Sequence, residues 1–213
     1  MDDVVNFYNT WYVPNNATLV IAGDFDSDQA REWVHKYFDE IPIKHISNTG
    51  AATNYNLDNY DMIRVGLGML GYNPGKTRHK WLKPALTWKS EIAQIRPIKE
   101  GHTVSYGATW ESPSDGYLAT IPVGYGDGIP RALSNKLKVS INGKLYPQVG
   151  NVTMDYIMVY LGKDKGAISV DSEVTILGGD ALNASDWSEL GGTNVHEILT
   201  NLKGRFERTH TNY

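Results

Sequence analysis

The residues on either side of Asn142-Gly143 constrain the fold of this chain more than any other part of the sequence. Residues 137–141 alternate between apolar and polar side chains, and a second run begins at residue 144. An Asn-Gly pair between two such runs is the strongest short hairpin signal, because both turn positions need a positive φ angle. This part of the chain is therefore expected to pair antiparallel strands.

Further strand patterns follow from about residue 84 onward. Residues 103–110 alternate, with Val104, Tyr106, Ala108 and Trp110 on one face, and residues 156–161 and 174–177 are further apolar runs. Short helices are expected near residues 184–204, where Asn194 and Glu197 have the spacing of a capping box. The sequence predicts a mainly β domain here, organised as a Greek-key or partly open barrel.

Residues 1–41 have a different pattern, which predicts a helix, a strand and a second helix. The first helix has apolar residues at helical spacing over residues 4–11, and residues 19–22 read as a short buried strand. Asp26 or Ser27 can cap the second helix, whose apolar stripe consists of Ala30, Trp33, Val34, Tyr37 and Phe38. The predicted fold class is α+β, with this short segment leading into the β domain.

Composition excludes several classes of function. The 213 residues are 41% hydrophobic and carry a net charge of −4 without a basic run, which argues against nucleic acid and anionic membranes as partners. No apolar stretch is long enough to span a membrane, and the first residues do not predict a signal peptide. Cysteine is absent, which excludes disulfides and thiolate zinc sites and fits a cytoplasmic location.

Common catalytic motifs are absent, or the residues that follow them do not allow the structure that the motif needs. The sequence has neither the H-E-x-x-H motif of zinc peptidases nor the G-x-S-x-G motif of serine hydrolases. Residues 66–71 match the dinucleotide motif G-x-G-x-x-G, but the Y-N-P-G that follows prevents the helix that such a site needs. From the sequence pattern alone, Tyr106 is better explained as a strand residue than as an acid/base group.

Four motifs occur in an order that resembles one family. They are residues 82–86 (LKPAL), 104–109 (VSYGAT), 123–128 (VGYGDG) and 149–155 (VGNVTMD), with the Asn-Gly hairpin between the last two. From about residue 43 to 213 the chain resembles the alanine racemase family, pyridoxal-phosphate enzymes that interconvert L- and D-alanine. The resemblance implies a C-terminal β domain like theirs and the last segment of their (β/α)8 barrel.

The N-terminal part resembles a second family. Residues 7–25 (FYNTWYVPNNATLVIAGDF) are similar to insulinase-type peptidases of the pitrilysin family. The metal motif of those peptidases is not in this segment, so neither a metal nor peptidase activity is expected. The expected domains are a peptidase-like fragment at 1–42, a remnant of the last barrel strand and helix plus a linker at 43–83, and the β domain at 84–213.

The racemase resemblance assigns roles to individual residues. Tyr106 matches the family's catalytic tyrosine, which acts from the partner subunit. Tyr125 and Arg131 match residues on the approach to the substrate, and Met154 and Asp155 match residues near the substrate carboxylate. The implied cofactor-binding residues are His45, Asn48, Thr49, Arg64, Gly66 and Leu67, with Arg64 facing the pyridine nitrogen and Thr49, Gly66 and Leu67 holding the phosphate.

One departure from the family determines the functional prediction. The lysine that forms the Schiff base, which is also the second base, lies in an earlier part of the family's barrel that has no counterpart in these residues. The resemblance therefore predicts a relative of alanine racemase that binds pyridoxal phosphate weakly or not at all and does not racemise alanine alone. The alternative is a repurposed β domain, either with an unrelated hydrolytic activity or with a non-catalytic interaction role.

The surface left by the missing barrel needs a cover. One candidate is the N-terminal segment, whose apolar stripe includes Trp33 and Tyr37. The other is a second copy of the chain, because the family forms head-to-tail dimers. A homodimer is therefore possible.

Overall fold

The computed structural model describes residues 26–38, 47–55, 61–75, 77–179, 181–202, 205 and 207–210. The helix and the strand expected within residues 1–25 lie outside these ranges. The second expected helix is present as α1 (Ser27–Phe38). Asp26 caps it, because its carboxylate accepts hydrogen bonds from the N–H groups of Asp28 and Gln29.

The two large aromatic side chains in the apolar stripe of α1 are exposed to solvent. Trp33 is 54% exposed and Tyr37 is 68% exposed. These two side chains are therefore largely open to solvent, and the part of that candidate cover within residues 1–25 lies outside the described residues. None of the helices in the described part of the chain is long and apolar enough to cross a membrane.

The β domain is a single antiparallel sheet of seven strands within the described residues. Its order is β1-β7-β4-β5-β6-β3-β2. Because β4, β5 and β6 are neighbours and β7 returns beside β4, the sheet contains a Greek key. The strands are β1 (Trp88–Glu91), β2 (Gln94–Ile98), β3 (Gly116–Ile121), β4 (Lys138–Ile141), β5 (Lys144–Val149), β6 (Ile157–Gly162) and β7 (Glu173–Leu177).

The predicted hairpin joins β4 to β5. Ile141 pairs with Lys144, and the two turn residues, Asn142 and Gly143, have φ angles of 52° and 73°. Positive φ at both positions is what a two-residue turn of this kind requires, and Asn and Gly tolerate it best. The sequence therefore identified this turn correctly.

The two edges of the sheet are brought together by the chain itself. β1 and β2 lie at opposite ends of the strand order, yet only Ile92 and Ala93 separate them. Ile92 exchanges backbone hydrogen bonds with Asp171 and Ser172, next to β7, while the N–H of Ala93 donates to Thr120 in β3. The sheet must therefore curl into a partly open barrel, as predicted.

Side chains on the two faces of the sheet form two apolar clusters. In β3, Ala119 and Ile121 belong to the larger inner cluster, whereas Leu118 belongs to a smaller outer cluster with Ile98, Val104 and Val149. This division follows from the alternation of side chains along a strand. Trp110, Met158 and Tyr160 pack against the outer cluster.

Two short helices close one side of the inner cluster. α3 (Ala184–Gly191) contributes Trp187, and α4 (Val195–Asn201) contributes Ile198. Asn194 caps α4 as predicted, because its side chain accepts a hydrogen bond from the N–H of Glu197 at 3.0 Å. The Glu197 carboxylate accepts from the Thr193 hydroxyl, which is a different contact from the predicted capping box.

The segment before the sheet runs from residue 47 to residue 84 with short gaps. α2 (Thr49–Asn54) is followed by a 3-10 turn at Leu67–Leu70, and Asn48 and Arg64 form an isolated parallel bridge. Parallel pairing is typical of α/β barrels. Leu67 and Tyr72 enter the inner cluster, so this segment is packed onto the β domain.

The alternation over residues 103–110 gave a wrong prediction. These residues form a loop with a 3-10 turn at Tyr106–Ala108, and only an isolated bridge between Thr103 and Glu111 is strand-like. The physical reason is the backbone: Gly107 and Ala108 have φ angles of 75° and 48°, which a strand does not allow. Tyr106 therefore lies on a loop.

Candidate functional site

The loop that carries Tyr106 is fixed at both ends by apolar contacts. We call residues 104–110 the Tyr106 loop. Val104 is buried in the outer cluster, and Trp110 packs against it with its ring 5.3 Å from that of Tyr160. Between these two anchors the Tyr106 side chain is 77% exposed. Both ends of the loop are thus well packed, while the Tyr106 phenol is exposed to solvent.

The residue before Tyr106 has an unusual backbone conformation. Ser105 has φ 66° and ψ 178°, a region that is almost exclusive to glycine. Its hydroxyl donates a hydrogen bond to the carbonyl of Asn151 at 2.7 Å, and the Asn151 amide donates to the carbonyl of Tyr106, also at 2.7 Å. This reciprocal pair ties the strained part of the loop to the segment after β5.

Residues 150–156, which we call the central segment, contact three loops. Apart from Asn151, the N–H of Val152 donates to the hydroxyl of Ser134, which follows the turn at Arg131–Leu133. The carbonyls of Thr153 and Met154 accept from the N–H groups of Tyr125 and Gly126, both at 2.9 Å. The central segment is therefore the common support of the loops on this side of the barrel.

Gly124 allows one of these loops to approach the central segment closely. A Cβ atom at Gly124 would lie 2.3 Å from the carbonyl oxygens of both Thr153 and Met154. The N–H of Gly124 donates to the Asp127 carboxylate at 2.8 Å, which closes the turn. The glycine of the VGYGDG motif is thus required by the backbone contact.

Arg205 lies beside two carboxylates at the edge of this region. Its guanidinium donates to Asp155 at 2.9 Å and lies 3.7 Å from Asp127. A Cβ atom at Gly126 would lie 2.3 Å from a guanidinium nitrogen, so that glycine makes room for the arginine. Arg205 therefore offsets the charge of Asp155.

The structure brings five of the predicted site residues to the loops around the central segment. Met154, Tyr125 and Arg131 are exposed, while Asp155 is half-buried against Arg205. The five residues are Tyr106, Tyr125, Arg131, Met154 and Asp155. Their loops are joined through the central segment by hydrogen bonds.

The expected cofactor residues form a separate group, which we call the Thr49 cluster (Asn48, Thr49, Arg64, Gly66 and Leu67). The Thr49 hydroxyl accepts hydrogen bonds from the N–H groups of Gly66 and Gly68, both at 3.1 Å. The Asn48 side chain caps α2 by accepting from the N–H of Ala51 at 3.0 Å. His45 lies outside the described residues.

As arranged, two backbone donors at the Thr49 cluster are already occupied. A phosphate needs free N–H donors, and the N–H groups of Gly66 and Gly68 already donate to the Thr49 hydroxyl. Thr49 is only 5% exposed, and Leu67 is buried in the inner cluster. A phosphate would have to displace the Thr49 hydroxyl before it could use these donors.

The pKa values of Tyr72 and Arg78 are both shifted by their surroundings. Burial raises the pKa of Tyr72, the N–H of Ala184 lowers it by donating to the phenol oxygen, and the nearby Asp186 carboxylate raises it. The Arg78 guanidinium donates to Glu189 and Asp186, both at 2.8 Å, and these contacts raise the pKa of Arg78.

A cavity of about 330 Å³ lies between residues 71–84 and the helices α3 and α4. Tyr72, Arg78 and Glu189 are among its lining residues, and none of the predicted site residues lines it. In the described part of the chain, no group of three or more His, Asp or Glu residues could hold a metal ion.

Sequence reasoning missed the residues that support Tyr106 and Asp155. Ser105 and Asn151 act through hydrogen bonds that follow from the loop conformation, and Arg205 reaches its carboxylates from beyond α4. One available signal was Gly150 beside Asn151, since Gly followed by Asn often marks a special backbone conformation. Gly150 has a φ angle of 75°.

A Greek-key barrel with a tyrosine loop on one side is the class of domain that these features define. Comparison with known families gives two matches. A model of the C-terminal domain of alanine racemases matches residues 85–210, and a model of the inactive domain of M16 peptidases matches residues 1–125. The second match confirms the peptidase resemblance and extends beyond residue 42, the expected boundary.

Individual relatives support the first match. The alanine racemase of Corynebacterium efficiens is 36% identical over 172 residues, which is 81% of this chain and 47% of that protein. That of Mycolicibacterium vanbaalenii is 40% identical over 174 residues, covering 79% of this chain and 44% of the relative. The chain thus spans about half the length of the curated relatives it matches.

Solved structures agree with the sequence comparison. The alanine racemase from a Streptomyces lavendulae that produces D-cycloserine superposes with a TM-score of 0.74 at 31% identity, covering 84% of this chain and 48% of that one. A Bartonella henselae alanine racemase with covalently bound pyridoxal phosphate gives 0.74 at 28% identity, with 86% and 52% covered. The chain therefore belongs to the alanine racemase family, and its N-terminal part belongs with the M16 peptidases.

Proposed function

We propose that this chain carries the tyrosine side of an alanine racemase active site. The observation that supports this most directly is that the central segment, which carries Met154 and Asp155, is hydrogen-bonded to the loops of Tyr106, Tyr125 and Arg131, in a chain that belongs to that family. In this proposal Tyr106 moves a proton at its phenol oxygen on one face of the amino acid. Met154 and Asp155 lie near the substrate carboxylate, and Tyr125 and Arg131 line the approach.

We also propose that these 213 residues do not racemise alanine by themselves. Racemisation needs two bases on opposite faces of the α-carbon, and only Tyr106 has a counterpart here. The cofactor supplies stabilisation of the carbanion when it is bound. The test is a D-amino-acid oxidase assay on the purified chain with L-alanine and pyridoxal phosphate, in parallel with Tyr106→Phe.

The expected result of that assay is the same background rate for both proteins. Turnover that is present in the wild-type chain and lost in Tyr106→Phe would contradict the proposal. Such a result would show that these residues contain a complete site.

Weak cofactor binding follows from the Thr49 cluster. The N–H groups of Gly66 and Gly68 already donate to Thr49, each phosphate contact contributes on the order of 1 kcal/mol, and association costs several kcal/mol in lost freedom. Binding of pyridoxal phosphate is therefore expected to be no tighter than about millimolar. Equilibrium dialysis of wild type and Arg64→Ala measures this, and a micromolar dissociation constant abolished by Arg64→Ala would contradict it.

The domain boundaries at residues 42 and 83 stay part of the proposal, as does a cytoplasmic location. The racemase match begins at residue 85 and therefore agrees with a β domain that starts near residue 84. Limited proteolysis provides the check. Cleavage that removes residues 1–42 and leaves a stable product would support the first boundary.

A non-catalytic interaction role is a second candidate, favoured by the exposed side chains of this region. Tyr106, Tyr125, Met154 and Tyr156 are all about half exposed or more. Exposed tyrosine and methionine on ordered loops are typical of protein–protein contacts. A homodimer through this surface is the simplest form, and light scattering with wild type and Tyr106→Asp tests it, since a dimer at this surface should dissociate in the variant.

A further inference from the structure

We propose that Asn151 and Ser105 are positioning residues that hold the Tyr106 backbone in place before any ligand or partner is bound. The inference rests on the proposed function, in which Tyr106 is the acid/base group. It adds that the direction of the tyrosine side chain is set by two polar side chains that are not expected to touch substrate. Four observations on the Tyr106 loop support it.

The first observation is backbone strain on both sides of Tyr106. Ser105 has φ 66° with ψ 178°, and Ala108 has φ 48°. Neither residue is glycine, and L-residues with side chains rarely adopt these angles. A loop with this conformation would relax unless other contacts held it. The contacts that hold it are therefore part of what sets the position of Tyr106.

The second observation is the pair of hydrogen bonds between residues 105–106 and Asn151. Asn151 uses its side-chain amide to donate to the Tyr106 carbonyl and its own carbonyl to accept from the Ser105 hydroxyl, both at 2.7 Å. One bond holds the side chain of Ser105, and the other holds the peptide carbonyl of Tyr106. Only an amide at position 151 can donate, because a carboxylate of the same size is an acceptor alone.

The third observation is that Gly150 permits the close contact. A Cβ atom at Gly150 would lie 2.7 Å from the carbonyl oxygen of Val104 and 2.8 Å from the Ser105 Cβ. The glycine thus brings the central segment against the start of the loop, which places Asn151 within hydrogen-bond distance of Tyr106.

The fourth observation is a second asparagine that holds the far end of the loop. The Asn135 amide donates to the Thr109 hydroxyl at 3.1 Å, and its carbonyl oxygen accepts from the N–H of Gly150 at 2.6 Å. Asn135 is itself fixed, because its N–H donates to the Gln148 side chain at 2.8 Å. The loop is therefore tied to the same support at residues 105, 106 and 109.

These contacts have a functional consequence because the Tyr106 phenol is exposed. An exposed side chain receives no direction from packing, so its direction depends on the position of its backbone. Holding a reacting group in place before binding lowers the entropy cost of bringing it to the substrate. The Asn151 amide is expected to provide this pre-organisation without contributing to the packing of the core.

The experiment compares two asparagine-to-aspartate variants of the full chain. Asn151→Asp replaces the donor with a carboxylate that repels the Tyr106 carbonyl. Asn194→Asp is the matched control, because the Asn194 side chain only accepts a hydrogen bond, which aspartate also does. Both variants add the same charge. Backbone order parameters from 15N relaxation are measured for residues 105–109 and for the strands.

In wild type and in Asn194→Asp, residues 105–109 should have order parameters close to the value of about 0.85 found in rigid backbone. In Asn151→Asp they should fall below about 0.6, while the strands keep their values and the thermal midpoint changes little. Ser105→Ala removes the other hydrogen bond and should also lower the order of this loop without affecting the strands.

Unchanged order at residues 105–109 in Asn151→Asp would overturn the proposal, and so would a wild-type loop that is already mobile. A loss of order throughout the domain would also overturn it, since Asn151 would then act on the fold rather than on the loop. The measurement does not depend on turnover or on cofactor. Its failure can therefore be distinguished from failure of the proposed function, which is decided by the oxidase assay and by dialysis.

Discussion

The Thr49 cluster and the Tyr106 loop both carry residues that the family resemblance predicts for a site, yet they differ in how their polar groups are used. In the Thr49 cluster the backbone donors bind a side chain of the same chain. In the Tyr106 loop the hydrogen bonds are made by the backbone and by Ser105, and the phenol is left exposed. In the first arrangement two backbone donors are occupied, whereas in the second the phenol is exposed to solvent.

The difference shows that family resemblance at a motif does not by itself indicate a usable site. The Thr49 cluster retains the expected residue types, but the N–H groups of Gly66 and neighbouring Gly68 already donate to Thr49. The Tyr106 loop is held by residues outside the motif, above all Asn151 in the central segment. The predictions below test the comparison, beginning with the largest expected effect.

Gly124→Ala should have the largest effect, because its Cβ would overlap the carbonyl oxygens of Thr153 and Met154 in the central segment. We expect a loss of about 3 kcal/mol in the free energy of unfolding. Urea denaturation measures it. Gly66→Ala in the Thr49 cluster is the control, since its Cβ would have no neighbour within 4 Å, and a change within about 0.5 kcal/mol is expected. Equal losses of unfolding free energy in Gly124→Ala and Gly66→Ala would show that the contact of Gly124 with the central segment is not the cause.

Thr49→Val should cost about 2 kcal/mol, because it keeps the shape of the side chain and leaves the N–H groups of Gly66 and Gly68 without their acceptor. Thr49→Ser retains the hydroxyl and should lose less. Chemical denaturation of the two variants gives the difference. If valine is tolerated as well as serine, the hydroxyl does not close this cluster.

Tyr72→Phe tests how firmly the segment with the Thr49 cluster is joined to α3. The variant loses the hydrogen bond from Ala184 and should cost about 1 kcal/mol near neutral pH. Because the folded-state pKa of Tyr72 is raised, its neutral form favours folding. This stabilisation is present below the unfolded value of about 10 and is lost as the pH rises through the folded pKa.

The expected outcome is that wild type loses more stability than Tyr72→Phe as the pH increases above about 10. Urea denaturation of both proteins from about pH 8 to about pH 11 measures the difference. Parallel curves would show that Tyr72 titrates alike in the folded and unfolded states.

Arg78→Ala should have the smallest effect, since Arg78 is about half exposed and its pairs with Asp186 and Glu189 are screened by solvent. We expect a loss of about 0.5 kcal/mol that decreases in high salt. Arg78→Lys serves as the control, because lysine keeps the charge but lacks the planar guanidinium that bonds both carboxylates. A loss that does not depend on salt would point to packing of the arginine stem instead of its charge.

Much of the β domain could be predicted from local signals. The Asn142-Gly143 turn, the strands that follow it and the cap at Asn194 depend on neighbours in sequence, so the pattern was sufficient. The Greek key and the curled sheet were predicted at the level of class. The family resemblance rests on several motifs in order, and the comparisons confirm it.

The conformation of the Tyr106 loop could not be read from its alternation of residues. The positive φ angles at Ser105 and Ala108 depend on contacts with Asn151 and Asn135, which are distant in sequence. The internal hydrogen bonds of Thr49 likewise depend on how two segments meet. Periodicity describes which faces are apolar, and it carries no information on such long-range polar contacts.

The connection at Ile92 and Ala93 has a consequence for the order in which the domain can form. β1 is made early on the ribosome, but among the described strands it pairs with β7 alone, and its Trp88 is the partner of Leu177 in that last strand. The hairpin of β4 and β5 can form as soon as it is synthesised. The pairing of β1 with β7 can form only after β7, the last strand, has been made. Pairings between distant parts of a chain form slowly. The pairing of β1 with β7 is therefore expected to be a late step of folding. Until it forms, β1 is an unpaired strand that could bind another nascent chain.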